Sequence, residues 1–175
     1  MTRSRDGTDR QRRFGDLCSA LRPDLFRFAF WLSRDRAVAE DVVQETLLRA
    51  WRALDDLQDE RAARHWLLTI ARREHARLYE RKRLEVVDVD DLIEREEPML
   101  AAAAEDELAD LRRAIFRLDE DYREPLVLQV LMGYSTEEIA RHMGLNAGAV
   151  LTRLFRARNR LRKAFAERDA GKTGT

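Results

Sequence analysis

Apolar residues recur every three or four positions through most of the chain, a spacing that predicts helices and no strands. In the first half, the pattern predicts one helix starting near Pro23, one capped by Asp35, and one over residues 62–83. Three helices of this length can enclose a small core, so we expect residues 14–83 to form one domain.

In the second half, the pattern predicts a helix that runs from an alanine-rich stretch to Leu118. Another is predicted over residues 122–132, with Pro125 in its first turn and Gly133 after its end. Two short helices follow. We expect residues 108–168 to form a second small domain, which gives an all-α fold of two helical domains.

Polar segments lie at both ends of the chain and between the predicted domains. Residues 1–13 and 169–175 are expected to be disordered. Residues 84–107 are expected to form a flexible acidic linker, which spans at most about 80 Å when fully extended. Two turns of DNA measure about 70 Å, so this tether is long enough to hold two domains on sites that far apart.

The formal net charge is zero, but the charges are distributed unevenly. Residues 1–87 carry 19 basic and 15 acidic side chains, residues 88–110 carry 1 and 10, and residues 111–175 carry 13 and 8. Two basic segments therefore flank an acidic one, and the zero sum does not exclude nucleic acid as a partner.

Residues 134–161 are typical of two short helices joined by a tight turn. Ser135 and Glu138 match a capping box at the start of the first helix. Gly144 is expected to end that helix, and Asn146 to cap the next one. This is the layout of a helix-turn-helix that places its second helix in a DNA major groove.

The predicted second helix has an apolar side containing Val150, Leu154 and Ala157, and a polar side with small residues first and arginines further on. Small residues let the backbone approach the bases, and arginines reach guanines or phosphates. A solvated basic face is the alternative, which the preceding capping box and turn disfavour. The candidate DNA-contacting residues are Asn146, Ala147, Gly148, Ala149, Thr152, Arg153, Arg156 and Arg160.

One face of the predicted second helix of the first domain combines acidic, amide, apolar and basic side chains away from the apolar stripe. Taken alone, it is interpreted as solvated surface, although it could equally dock a partner helix. The residues on this docking face are Asp41, Gln44, Glu45, Leu48 and Arg52.

Three segments resemble bacterial sigma factors of the sigma-70 family. AEDVVQETLLRAW is similar to the hallmark of region 2, and ARHWLLTIARREHARLYERKR to the promoter-recognition helix that follows it. YREPLVLQVLMGYSTEEIARHMGLNAGAVLTRLFRARNRLR is similar to region 4. A chain with only these two regions and a short linker resembles the extracytoplasmic-function (ECF) group. The resemblance covers roughly residues 14–83 and 108–165.

The resemblance implies that the docking face binds the clamp helices of the β′ subunit of core RNA polymerase. It implies that the second domain binds the promoter −35 element and the β flap of the polymerase. An anti-sigma factor is a further implied partner, and the family linker runs through the polymerase cleft. A solvated tether is the alternative for the linker.

The loop of residues 56–61 and the helix of residues 65–83 match family elements that bind the −10 element and capture a flipped base of the melted non-template strand. Arginines here can follow phosphates, and His75 and Tyr79 could stack on a base, worth about 1–3 kcal/mol. Tyr79 could equally belong to the core, as we expect of Trp66. The candidate −10 residues are Arg61, Arg64, Arg72, Arg73, His75, Arg77, Tyr79 and Arg81.

The sequence departs from the family pattern at four positions. Arg73 stands where many members have Asn, and Arg77 where they have Asp, so the −10 base preference is not carried over. Leu151 replaces a frequent basic residue in region 4, and Ala149 replaces a hydroxyl residue. One phosphate contact expected from the family is therefore in doubt.

Candidate chemistry is absent from the sequence. His65, His75 and His142 lie in separate segments and Cys18 is the single cysteine, so no catalytic or metal site and no cofactor are expected. Neither a signal peptide nor a membrane span is indicated, which predicts a cytoplasmic protein without membrane insertion. Two alternatives stay open: a stand-alone helix-turn-helix regulator, and a protein that binds only polymerase.

Overall fold

The computed structural model describes residues 3–85 and 105–172, which form seven α-helices and two short 3₁₀ turns. The chain divides into two compact units, Met1–Glu96 and Glu97–Thr175. No strand occurs within the described ranges, so the predicted all-α class is confirmed.

The first unit contains α1 (Arg3–Ser33), α2 (Arg36–Arg52) and α3 (Ala63–Glu85), which pack against one another. The α2–α3 loop, residues 53–62, contains the 3₁₀ turns Leu54–Asp56 and Glu60–Ala62. The buried apolar residues between the three helices are Leu25, Phe28, Ala29, Leu32, Ala39, Val42, Val43, Ala50, Leu67, Leu68 and Ala71.

The start of α1 corrects two predictions. Residues 3–13 are helical and not disordered, and the helix continues through Pro23 instead of beginning there. Pro23 has no N–H to donate to the backbone oxygen of Ser19, one turn earlier. Both residues lie on the exposed side of α1, where water can replace that hydrogen bond. The first turns are held by contacts of Arg10 and Arg13 with residues far along the chain.

The second unit contains α4 (Glu105–Phe116), α5 (Glu120–Val130), α6 (Thr136–Met143) and α7 (Ala147–Lys172). Helix α5 starts two residues earlier than predicted, so Pro125 lies in its interior and not in its first turn. The buried apolar residues of this unit are Leu118, Leu126, Val127, Leu128, Met132, Tyr134, Ile139, Ala140, Met143, Val150, Leu154 and Ala157.

The predicted tail is shorter than expected, because α7 continues to Lys172. Residues 161–170 contain neither Gly nor Pro, so nothing in this stretch stops the helix. Residues 173–175 lie outside the described residues, as do residues 86–104 of the predicted acidic linker and its alanine-rich end.

Candidate nucleic-acid interface

Local signals fix the turn between α6 and α7. The Ser135 side chain accepts a hydrogen bond from the Glu138 backbone N–H at 3.2 Å, and Glu138 accepts from the Ser135 N–H at 2.8 Å. Gly144 ends α6 in the left-handed region, at φ 67°. Asn146 Oδ1 accepts from the Ala149 N–H at 2.8 Å, which caps α7. The predicted capping box and caps are confirmed.

Helix α7 has the two sides that the sequence predicts. Val150, Leu154 and Ala157 are buried against α5 and α6, whereas Thr152, Arg156 and Arg160 are exposed. At the start of the helix, Asn146 and Gly148 are exposed, and Ala147, Ala149 and Arg153 are half-buried. The structure thus brings the eight candidate −35 residues onto the exposed side and the N-terminal end of one helix.

Two of the candidate arginines are paired with aspartates at the start of α5. Arg153 Nη1 lies 2.8 Å from Asp121 Oδ1, and Arg160 Nη1 lies 2.5 Å from Asp119 Oδ2. The Arg160 guanidinium also lies 4.3 Å from the centroid of the Tyr122 ring. The sequence does not reveal these pairs, since they join positions about thirty or forty residues apart. They bring the two guanidinium groups beside the N-terminal end of α5.

Two large apolar side chains on α7 are exposed, Leu151 by 57% and Phe155 by 61%. They are four residues apart and therefore share one strip of the helix, beside Thr152 and Arg156. Leu151 already departs from the family pattern in sequence. Phe155 is a second apolar residue on this largely polar side, and its spacing from Leu151 is visible in the sequence.

Helix α3 carries a basic strip. Arg73, Arg77 and Arg81 recur every fourth residue and are all exposed. Arg77 Nη1 also lies 3.3 Å from Glu74 Oε2, and Glu74 is buried where Arg49 Nε reaches its other oxygen at 2.5 Å. The buried carboxylate is thus paired with two guanidinium groups, and one of them belongs to the basic strip.

The aromatic part of the −10 prediction needs a correction at His75. Its side chain is 4% exposed, so it lies within the unit and cannot stack on a base in this structure. The His75 ring stacks instead beside Tyr79, with ring centroids 6.4 Å apart. Tyr79 is 53% exposed, which argues against the core alternative. Arg72, seven residues before Tyr79, lies on the same side of α3 and is half-buried.

The remaining −10 candidates lie in the α2–α3 loop and at the start of α3. Arg61 is exposed in the α2–α3 loop, where its backbone N–H donates to Asp59 Oδ1 at 2.9 Å. Arg64 Nε donates to Asp24 Oδ2 of α1 at 2.7 Å, so its side chain joins two helices. Trp66 packs against the apolar cluster under the loop, as expected of a core aromatic.

The docking face is a continuous exposed side of α2, opposite the buried Val42, Val43 and Thr46. Its apolar member, Leu48, is 51% exposed. The five residues brought together on this face are Asp41, Gln44, Glu45, Leu48 and Arg52.

Among the described residues, no group of three or more His, Cys, Asp or Glu side chains is arranged to hold a metal ion. Burial raises the pKa of the Cys18 thiol, and Arg22 opposes that shift. None of the described helices has the length and apolar character needed to cross a membrane.

Two families match the chain in the order that the fold suggests. Residues 17–85 match Sigma-70 region 2, and residues 108–161 match Sigma-70, region 4. The first match covers α1 from residue 17, α2, the α2–α3 loop and α3. The second covers the helix-turn-helix and the helices that support it.

Individual relatives agree with these matches. The ECF RNA polymerase sigma factor EcfG of Rhodopseudomonas palustris is 35% identical over 147 residues, which cover 83% of this chain and 81% of the relative. The sigma factor RpoE of Bartonella quintana, solved with the anti-sigma factor NepR, has a TM-score of 0.74 at 32% identity and covers 88% of this chain and 97% of its own.

The structure of CnrH in complex with the cytosolic domain of CnrY has a TM-score of 0.66 at 31% identity, over 90% of each chain. Both family regions, their order and this similarity across most of the chain lead to one conclusion. The chain belongs to the ECF group of the sigma-70 family and is a sigma factor that directs transcription initiation by RNA polymerase.

Proposed function

We propose that this sigma factor divides promoter recognition between its two units. The exposed side of α7 binds the −35 element, and the α2–α3 loop with α3 binds the −10 element. The observation that carries the proposal is that each unit presents its own row of exposed arginines, Arg156 and Arg160 on α7 and Arg73, Arg77 and Arg81 on α3. Guanidinium groups in a row along a helix suit phosphates and guanine edges.

At the −35 element, α7 enters the major groove with its N-terminal end first. Gly148 and the small side chains of Ala147 and Ala149 allow close approach of the backbone there. Arg153 is the candidate base reader, because Asp121 fixes the direction of its guanidinium group. Arg156 and Arg160 lie one and two turns further on, where they suit phosphates.

At the −10 element, Tyr79 is the candidate stacking residue, since it is the exposed aromatic side chain of α3. The buried His75 supports the Tyr79 ring from beneath and does not contact DNA. Binding of unstacked bases by the loop and by Tyr79 supplies the free energy that favours strand separation.

The docking face of α2 binds the β′ clamp helices of core polymerase, and the second unit contacts the β flap. A single exposed leucine among charged side chains is a suitable centre for such a contact. Charge reversal at the edge tests it: we expect Asp41→Lys to lower the affinity for core polymerase about tenfold. The same variant should keep the wild-type melting curve. Normal holoenzyme formation by Asp41→Lys would reject this docking face.

Run-off transcription with purified core polymerase tests the proposal as a whole. The full-length protein should start transcripts from a promoter selected from a randomised duplex pool, with no other sigma factor present. A stand-alone regulator would need a second sigma factor, and a protein that binds only polymerase would give no promoter dependence.

We also propose that an anti-sigma factor sequesters this protein, because the structural relative RpoE of Bartonella quintana was solved with the anti-sigma factor NepR. We propose that the protein acts in the cytoplasm, together with polymerase and promoter DNA. Its role in this scheme is binding, and no enzymatic step is assigned to it.

A further inference from the structure

Two arginines at the start of α1 are joined to the α2–α3 loop and to the last turn of α2 before it. Arg13 Nη2 donates to the backbone oxygen of Leu57 at 2.7 Å, and Arg13 Nε donates to Glu60 Oε1 at 2.9 Å. Arg10 Nη2 donates to the backbone oxygen of Trp51 at 2.9 Å, and its guanidinium lies 4.7 Å from the centroid of the Trp51 ring. The loop is therefore held both where it leaves α2 and in its middle.

Apolar side chains of α1 form a floor under the same loop. The Phe14 ring meets the Trp51 ring edge-on, with centroids 5.2 Å apart. The buried members of the cluster come from the loop and the start of α3, and α1 adds three partly buried side chains beside Trp51 and Trp66. The residues of this cluster are Leu54, Leu57, Ala63, Phe14, Leu17, Leu21, Trp51 and Trp66.

Both arginines lie before residue 17, where the match to Sigma-70 region 2 begins. A polar helical end of this kind is marginal in water unless it makes tertiary contacts. The contacts from Arg10 and Arg13 account for the early start of α1 and join this helical end to the loop.

We propose that Arg10 and Arg13 are positioning residues for −10 recognition, which hold the α2–α3 loop in the shape that captures an unstacked base. This inference depends on the −10 role proposed above for the loop. A loop that is already ordered loses less conformational entropy on binding. When the competent conformation is less populated, the apparent affinity falls by the same factor.

The test uses holoenzyme assembled from core polymerase and the full-length protein, with the promoter duplex selected by the wild-type holoenzyme. The quantity measured, called the −10 ratio, is the Kd for the duplex with a scrambled −10 element divided by the Kd for the intact duplex. Arg13→Lys keeps the positive charge but loses the forked contact, and should lower this ratio about tenfold. Glu60→Gln keeps an acceptor without its charge and should lower it about threefold.

Arg12→Ala is the matched control, because Arg12 is largely exposed and pairs with Asp9 of its own helix at 3.8 Å. It should leave the −10 ratio unchanged, and all variants should keep the wild-type ratio for a scrambled −35 element. Hydrogen exchange of the free proteins gives a second readout: amides of residues 53–62 should exchange faster in Arg13→Lys but not in Arg12→Ala.

A wild-type −10 ratio in Arg13→Lys would overturn the inference, as would an equal loss in Arg12→Ala, since nearby positive charge would then suffice. If Arg13→Lys does not fold, an unchanged ratio in Glu60→Gln overturns it instead. A ratio near one for the wild-type protein would contradict the proposed −10 role of the loop. In that case faster exchange in Arg13→Lys would still show that the arginine orders the loop.

Discussion

The helix-turn-helix of the second unit is shaped by hydrogen bonds between residues three positions apart, at Ser135–Glu138 and Asn146–Ala149. The α2–α3 loop of the first unit is held by Arg10 and Arg13, from 41 to 47 positions away. One candidate DNA-binding surface is therefore specified locally and the other by tertiary contacts.

This difference has a physical consequence for each surface. A capped helix keeps its shape through its own backbone bonds, so its specificity depends mainly on which side chains it carries. The α2–α3 loop has hydrogen bonds within its two 3₁₀ turns, but each turn is only three residues long, so the order of the loop also depends on the packing beneath it. Substitutions remote from DNA should therefore affect −10 recognition more than −35 recognition.

The largest expected effect comes from truncating a buried leucine in the apolar cluster under the loop. Leu54 is 1% exposed, and we expect Leu54→Ala to lower the free energy of unfolding of the first unit by about 2–5 kcal/mol. Hydrogen-exchange mass spectrometry in urea reports the two units separately. The −10 ratio should fall as well.

The control for this experiment is Leu48→Ala, at the exposed leucine of the docking face, which should stay within about 0.5 kcal/mol of the wild type. Equal destabilisation of the second unit by Leu54→Ala would break the comparison, because the loop would then not be a feature of the first unit alone.

The next effect concerns base reading by α7. Arg153→Ala should weaken binding to the selected −35 element by about 1–3 kcal/mol, because a guanidinium group fixed by Asp121 can read a base edge. Fluorescence anisotropy of the holoenzyme on intact and scrambled −35 duplexes measures the loss. A loss that is equal on every sequence would show that Arg153 contacts only phosphate.

Arg117→Ala serves as the control for Arg153→Ala, since it removes an exposed arginine that follows α4 and lies outside the candidate surface. It should preserve the difference between intact and scrambled duplexes.

A smaller effect is expected from removing the Ser135 cap, which tests whether the helix-turn-helix is shaped independently of the α2–α3 loop. Ser135→Ala removes the side-chain acceptor for the Glu138 N–H and should cost the second unit about 0.5–2 kcal/mol of unfolding free energy. The first unit and the −10 ratio should not change. Ser19→Ala, on the exposed side of α1, is the matched control. A changed −10 ratio in Ser135→Ala would show that the two surfaces are not independent.

The smallest effect is expected at Asp121→Asn, which removes the charge facing Arg153. Exposed pairs of this kind contribute about 0.2–1 kcal/mol, so stability should hardly change. Affinity for all DNA should rise slightly, while the preference for the intact −35 element falls because Arg153 is less well directed. Glu137→Gln removes an exposed acid from the same unit and should leave that preference intact.

The same local-versus-tertiary contrast explains what the sequence predicts well. Features that depend on neighbouring residues are confirmed. They are the helical periods, the caps at Asp35 and Asn146, the Ser135–Glu138 capping box and the end of α6 at Gly144. The buried side of α7 follows from its apolar spacing. The assignment of individual residues to DNA or polymerase stays a prediction.

The failures involve residues whose partners are distant in sequence. Disorder was wrongly expected for residues 3–13, because polar composition does not reveal that Trp51 and Leu57 accept hydrogen bonds from Arg10 and Arg13. His75 was wrongly placed on the DNA side, since its burial depends on how α3 packs. The sequence also does not reveal the aspartates that face the arginines of α7, because these pairs depend on how α5 packs against α7.

The early start of α1 affects how this protein is compared with its relatives. A chain trimmed to the family-matched stretch would begin after both arginines. Its α2–α3 loop would lack the contacts that Arg10 and Arg13 make. If Arg10 and Arg13 position the loop as we propose, relatives that differ in the length of this leading segment should differ in promoter selectivity even where their loops are identical in sequence.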